Sequence, residues 1–391
     1  MKLLIYTHEF PPFLGGLATT SHKLANGIGA TDIDVVVLAP GYGPEDQSVD
    51  EKLPCKVIRA PMISKKWIKV IPFAEIAYGQ RYLSNAIREE KPDAVLFITE
   101  EAEAAGGNLN RYDFSPIVRI AGSGITTCFY GNKFFKKVMR RPMKKLYDNA
   151  SKIIAVSHNT KELVESVGVP SDKIEVVYNG VENYLLSSEP DQGQINSLRN
   201  SYGISSNDKV LLTVARVLPR KGQDMVIRSL PEVLKQFPNL KYLIVGDGRY
   251  RQKFSELAQE LAVSENVIFT GGVAHEEVIS FIDMCDIFVM PNRYWNNKIE
   301  GLPNALIEAS ARKKPLIAGN HGGSVEAVKD GETGFLVDPE SPEDLASAIN
   351  KILGDEKLAI GMGAAGKENV LKNHTEDGMI KNYIDVIRRS L

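Results

Sequence analysis

The chain has 391 residues, 43% hydrophobic and 25% charged, with 47 basic against 49 acidic side chains and a formal net charge of −2. At roughly 100–200 residues per domain, this length holds two or three domains with ample core, so no disulfide or structural metal is needed on grounds of size. The balanced charge argues against a nucleic-acid binder, and three scattered cysteines (Cys55, Cys128, Cys285) without a C-x-x-C argue against a disulfide framework or a zinc ribbon and for a reducing compartment.

In chain order, MKLLIYTHEFPP enters a strand-like run with no small-residue cleavage site, so it does not read as a signal peptide. No apolar stretch reaches the roughly 20 residues needed to span a bilayer. The expectation is therefore a cytoplasmic protein, with any membrane contact peripheral and on the inner face. Short apolar runs bounded by turn residues predict buried parallel strands at 2–7, 35–40, 56–60, 94–99, 117–121, 153–157 and 174–178. Helical spacing predicts helices over 18–29 and 74–90. The polar stretch 187–209 reads as a linker. The pattern then restarts, with strands at 210–216, 242–248, 267–271, 287–291 and 315–319. Helices are expected over 222–237, 249–261, 276–284, 303–311, 324–329 and 342–353, and apolar residues at helical spacing continue over 375–391. Alternating β and α elements in two series predict an α/β protein of two doubly wound parallel-sheet domains. Such sheets bind ligands outside the carboxyl ends of their strands.

The chemistry-bearing stretches sit at those ends. In THEFPPFLGG (7–16), Gly15 and Gly16 open a helix whose free amides and dipole can meet an anion; a plain strand-to-helix turn would look the same. The string is not G-x-G-x-x-G, which disfavours a dehydrogenase. In VARVLPRKG (214–222), Arg216 and Lys221 can neutralise a diphosphate, Arg through its fork and Lys as a point charge. Stabilising the charge that gathers on such a leaving group would lower the barrier, although solvated cations are the usual role of these residue types. In IEGLPNALIEA (299–309), Gly301 permits close backbone approach and Pro303 suits a first helical turn. The amides of Leu302 and Asn304 can then point at phosphate, while Glu308 suits the hydroxyls of a ribose and Glu300 those of a transferred sugar. GNHGGSVEAV (319–328) and VGDGRYRQ (245–252), with Gly246, are further glycine loops at strand ends.

FPPFLGG, RVLPRKG, GDG, EGLPNALIE and HGGSVEAV, with NGVE (179–182) and KDGETGFLV (329–337), in this order and spacing resemble retaining glycosyltransferase family 4 over nearly the whole chain, most strongly over 153–338. The resemblance implies the GT-B fold, two Rossmann-like domains facing across a cleft. Residues 1–185 would form an acceptor-binding domain, 186–372 a nucleotide-sugar-binding domain, and 373–391 a helix crossing back to the first. It implies that Arg216 and Lys221 hold the donor diphosphate, Glu308 the ribose and Glu300 the donor sugar, with Gly15 and Gly16 touching the diphosphate from the first domain and the region of Val273 meeting the base. The implied activity is transfer of a hexose or N-acetylhexosamine, from a UDP-sugar such as UDP-glucose in the first instance, to a glycan or lipid-linked acceptor of polysaccharide or glycolipid assembly.

One feature departs from the family. Many members carry a histidine after the strand at 117–121, where this chain has AGSG (121–124). That departure keeps open a donor-binding scaffold without turnover, and the fold keeps open an epimerase. With no carboxylate nucleophile to place beneath the anomeric carbon, the expected route is same-face departure and attack with retention. Asp32 and Asp34 form an Asp-x-Asp by letter but run straight into a strand, so neither a metal nor another cofactor is expected and activity should survive EDTA. Finally, GNKFFKKVMRRPMKKLY (131–147) places Lys133, Lys136, Lys137, Arg140, Arg141 and Lys144 at helical spacing with Phe134, Phe135, Val138, Met139, Met143 and Leu146 between them, interrupted by Pro142. Such a stretch can rest on an anionic membrane or meet an acceptor, helped by Trp67, Lys65, Lys66 and Lys69; a core-packed helix with a solvated basic face is the plain alternative.

Overall fold

The computed structural model describes residues 1–13, 15–61, 73–132 and 134–391, so Lys133, Trp67, Lys65, Lys66 and Lys69 lie outside the described residues. The chain divides into two compact units, Met1–Asn179 with Glu376–Leu391, and Gly180–Thr375.

The first unit carries strands β1 (Lys2–Tyr6), β2 (Asp34–Pro40), β3 (Lys56–Ala60), β4 (Ala94–Phe97), β5 (Ser115–Ile120), β6 (Lys152–Ala155) and β7 (Ile174–Val176) in the order β3-β2-β1-β4-β5-β6-β7. Every pairing is parallel, with Leu3 opposite both Val35 and Ala94. Successive side chains of a strand face opposite sides, so each strand feeds two cores. Leu4, Tyr6, Val36 and Leu38 join one cluster, and Leu3, Ile5, Val35 and Val37 join the other. The second cluster is closed by Met379, Ile380, Tyr383, Val386 and Ile387 of the helix Glu376–Arg389. The Tyr383 hydroxyl accepts a hydrogen bond from buried Arg119 on β5 at 3.0 Å, and Arg119 also donates to Asn179 at 2.9 Å. Asp34 opens β2 and pairs with Lys2 at 3.4 Å, while Asp32 pairs with Arg388 at 2.8 Å.

The second unit carries β8 (Val210–Val214), β9 (Lys241–Val245), β10 (Val267–Gly271), β11 (Ile287–Met290), β12 (Leu316–Gly319) and β13 (Gly334–Val337) in the order β10-β9-β8-β11-β12-β13, again all parallel. Leu211, Tyr242, Ile244, Ile287, Val289 and Ile317 form its core with the helices Gln223–Val233 and Pro342–Gly354.

The structure differs from the sequence reading in five places. The stretch 187–209 is not a bare linker: it holds the helix Gln192–Ser201, whose N-cap Asp191 accepts from the Gln194 amide at 3.1 Å and which buries Ile195. The seam between the units lies at Asn179/Gly180 instead of 185/186. Strand β13, within KDGETGFLV, forms an edge of the second sheet. The 18-residue helix Glu356–Asn373 has no counterpart among the predicted elements, because small residues carry part of its packing and leave its apolar stripe weak. A Cβ at Gly363 would stand 2.0 Å from the Lys313 carbonyl oxygen, and one at Gly366 would stand 2.6 Å from Ser310 Oγ. Pro142 does not break its helix, which runs from Phe134 to Asn149; Gly107 approaches the Pro142 carbonyl so closely that an added Cβ would sit at 1.8 Å.

Two substitutions in one helix separate packing from propensity. Gly361 is exposed with open space around it, so Gly361→Ala should raise unfolding stability by up to about 1 kcal/mol. Gly363→Ala should lower it by about 1–3 kcal/mol, since overpacking outweighs the gain in propensity. Denaturant unfolding of both variants checks the pair; equal effects contradict the close approach.

Candidate active site

The order of the second sheet reverses between β8 and β11, so the loops leaving the carboxyl ends of these two strands diverge and leave a crevice. Backbone contacts lock the loops around it. Gly222, at φ +79°, ends the β8 loop where a side chain would meet the Pro291 carbonyl oxygen at 2.2 Å. The Arg293 amide donates to the Arg220 carbonyl at 3.0 Å. From β9, Gly246 presses on the Ala215 carbonyl, so its role here is close packing of two loops. From β12, the Gly323 amide donates to the Glu300 carbonyl at 2.9 Å, and a Cβ on Gly323 would lie 1.6 Å from the Gly301 oxygen. Arg293 braces the β11 loop through a two-point pair with Asp224, at 3.2 and 2.8 Å.

These contacts bring Glu300 onto the cations of the β8 loop. Its Oε1 lies 2.7 Å from Arg220 Nη1 and 2.9 Å from Lys221 Nζ, with all three side chains 10–15% exposed. Arg220 also donates to the Ile299 carbonyl at 3.2 Å. Arg216 is exposed and acts through its field. Burial pushes the Glu300 carboxyl up, but Lys221, Arg220 and Arg216 outweigh it and hold the group below the ordinary carboxylate range. Burial is the main force on the Lys221 ammonium and holds it below the ordinary lysine range; Glu300 opposes it, and Arg220 and Arg216 add to it. Together Arg216, Arg220, Lys221 and Glu300 hold three positive charges and one negative. The cluster has room for further negative charge.

The helix Asn304–Ala311 begins beside this cluster. Its N-cap Pro303 is extended and makes no side-chain cap, and Gly301, Leu302 and Pro303 are buried in the approach to it. Asn304 and Glu308, one turn apart, keep partial exposure while Leu306 and Ile307 turn inward. Burial first, then the carboxylates of Glu182, Glu308 and Glu276, push the Tyr184 phenol well up. Tyr184 and Glu276 line one cavity with Ser188, Gln194 and Ile279, and Val273 lies half-buried just after β10.

The other residues singled out in the sequence belong to the first unit. Gly15 is the N-cap of the helix Gly16–Gly29 and makes no side-chain cap. Of the basic stretch, Lys136 is not a free outward cation: it pairs with Glu100 at 2.6 Å and Glu101 at 3.5 Å, and Lys144 pairs with Asp148. Lys137, Arg140 and Arg141 are exposed. In AGSG, Gly122 at φ +98° caps the short helix Ser123–Cys128. Sequence reasoning missed Arg220, whose one signal was its position between Pro219 and Lys221. It also missed the chain from buried Tyr6 and His8 to half-buried Glu75, in which the Tyr6 hydroxyl lies 2.7 Å from His8 Nε2 and His8 Nδ1 lies 3.2 Å from Glu75.

Two family models match the chain. The "Glycosyltransferase Family 4" model covers residues 14–183, and the "Glycosyl transferases group 1" model covers 194–369. The GDP-mannose-dependent alpha-(1-6)-phosphatidylinositol monomannoside mannosyltransferase of Mycolicibacterium smegmatis is 31% identical over 95% of this chain and 94% of its own. The chain belongs to glycosyltransferase family 4. A Corynebacterium glutamicum enzyme, a GDP-mannose-dependent monoacylated alpha-(1-6)-phosphatidylinositol monomannoside mannosyltransferase, is 28% identical over 94% of this glycosyltransferase and 93% of its own chain. Among solved structures, sucrose-phosphate synthase from Thermosynechococcus elongatus matches with a TM-score of 0.84 at 20% identity, covering 99% of this chain and 98% of that one. Anabaena HepE in complex with UDP and glucose matches with a TM-score of 0.80 at 19% identity, covering 99% of each chain. At these identities the likeness establishes the GT-B fold of the glycosyltransferase.

Replacing Glu300 by Gln leaves the three cations of the cluster without their carboxylate, and stability at neutral pH should fall by about 3 kcal/mol. Because the folded-state carboxyl titrates below its ordinary range, its contribution is present above that range and is lost as pH falls through the folded value. The difference between wild type and Glu300→Gln should therefore shrink in acid. Denaturant titrations at neutral and acid pH test this; equal stability at neutral pH contradicts the pairing.

Proposed function

We propose that this glycosyltransferase moves mannose from GDP-mannose to a phosphoinositol-containing glycolipid, with retention at the anomeric carbon. The observation that carries the proposal is the near full-length match to GDP-mannose-dependent phosphatidylinositol-monomannoside mannosyltransferases. It replaces the uridine donor expected from the sequence. The chemistry near Val273 supports the change. Guanine presents two adjacent N–H donor groups on its pairing edge, whereas uracil presents one, and a carboxylate accepts such a pair well. Glu276 lies three residues beyond Val273, and its charge, like that of Glu308, is felt at Tyr184.

In this reading Arg216, Arg220 and Lys221 hold the diphosphate, whose charge offsets the positive surplus. The helix start at Gly301–Asn304 offers amides to it, Glu308 takes the ribose and Glu300 a hydroxyl of mannose. The positive cluster stabilises the diphosphate as it leaves, and this contact strengthens in the transition state. Glu300, held ionised against two cations, is a weakened nucleophile, which favours same-face displacement over a glycosyl-enzyme intermediate.

The lipid side of the proposal rests on the helix Phe134–Asn149. Met139, Met143, Leu146 and Tyr147 are buried, while Phe134, Lys137, Val138, Arg141 and Lys145 recur on its exposed face. Phe134 is 69% exposed and Val138 42%. Apolar side chains among cations suit an anionic bilayer surface. No helix among the described residues is long and apolar enough to cross a membrane.

Two measurements test these readings. Thermal unfolding with GDP, GDP-mannose, UDP and UDP-glucose should show stabilisation by the guanine pair alone, about 2.7 kcal/mol at 100 times Kd; stabilisation by the uridine pair alone overturns the donor. Phe134→Glu combined with Arg141→Glu should abolish co-sedimentation with phosphatidylglycerol vesicles at low salt while leaving GDP binding intact. Unchanged sedimentation overturns the surface.

A further inference from the structure

Strand β12 is followed by Asn320, His321, Gly322 and Gly323, and this turn is built against the backbone of the Glu300 loop. Gly322 and Gly323 pack on the carbonyls of Glu300 and Gly301, so His321 is held beside them by backbone contacts. Its main chain is satisfied: the amide donates to the Gly319 carbonyl at 2.7 Å, and the carbonyl accepts from Ser324 at 3.4 Å. Its ring meets Tyr294 edge-on, with centroids 6.2 Å apart. Tyr294 is itself 46% exposed and donates to Asn297 at 2.8 Å.

The imidazole Nε2 is enclosed by protein and has no hydrogen-bond partner. Enclosing a polar nitrogen without a partner costs free energy, and such a group in a folded protein calls for an explanation. The loops around the switch point supply one. The cations stand on the β8 loop, Glu300 on the β11 loop, and His321 on the β12 loop, so in strand order Glu300 comes between the cations and His321. The nitrogen that lacks a partner belongs to the loop packed on the Glu300 backbone.

We propose that His321 is a donor-sugar-binding residue, whose Nε2 completes its hydrogen bonding with a hydroxyl of the transferred sugar. This rests on the donor-site reading above and adds a residue to it. An imidazole nitrogen either accepts from a hydroxyl or donates to one, so either tautomer serves. A phosphate partner is the alternative that the test separates, because GDP carries both phosphates and no sugar.

The test compares the affinities of GDP and GDP-mannose for wild type, His321→Ala and His321→Gln by calorimetry. His321→Ala should weaken GDP-mannose about tenfold and leave GDP within about twofold. His321→Gln, which keeps a hydrogen-bonding group, should fall between wild type and His321→Ala. The thermal midpoint without ligand should not fall, since an unpartnered buried nitrogen is removed. Equal weakening of both ligands, or no weakening of GDP-mannose, overturns the proposal. If wild type binds neither guanine ligand, the donor reading fails, and the same comparison between UDP and UDP-glucose decides His321.

Discussion

The account turns on one electrostatic imbalance: three cations gathered around the Glu300 carboxylate in a partly dry crevice. Removing charged groups from water is costly unless partners compensate. Glu300 compensates Arg220 and Lys221 through a single oxygen at 2.7 and 2.9 Å; the cations hold the carboxylate ionised, while burial, with the two arginines beside it, loosens the lysine's hold on its proton. A site left in that state favours a ligand bearing negative charge, and favours it more as that charge concentrates during bond cleavage. Binding and rate then share one physical cause.

The second sheet is what makes the imbalance possible. Parallel strands send all their following loops to one end, and the reversal between β8 and β11 spreads two of them apart. Glycines without side-chain bulk then let the four loops touch through backbone atoms: Gly222 on Pro291, Gly246 on Ala215, and Gly323 on Gly301. Backbone contact positions Glu300 and His321 more tightly than long side chains could. The chemistry rests on residues whose own environments are fixed by the scaffold.

Much of this was legible in the residues. Short continuous apolar runs exposed the strands, and all but β13 were readable because their burial on both faces leaves continuous β-branched stretches. EGLPNALIE marked the helix start and its two carboxylates. What escaped was whatever depends on three-dimensional approach. Arg220 looked like one more loop cation until Pro219 and Gly222 turned it inward. The helix Glu356–Asn373 shows a weak apolar stripe, because Gly363 and Gly366 take up part of the contact surface between Met362 and Val370. Lys136 looked like a membrane-facing charge, but Glu100 and Glu101 arrive from another helix to claim it. The orphaned nitrogen of His321 is visible only as an environment.

The most direct measurement is the proton balance when GDP binds, by calorimetry in alkaline buffers of differing ionisation heat. The free site depresses Lys221, and an anion beside it restores its affinity for a proton. Wild type should therefore take up protons on binding at a pH where the free lysine is partly neutral, and Lys221→Arg, which stays charged, should bind without uptake. Binding with no proton uptake by wild type, or equal uptake by both proteins, would contradict the claim that surplus positive charge at Lys221 awaits the diphosphate.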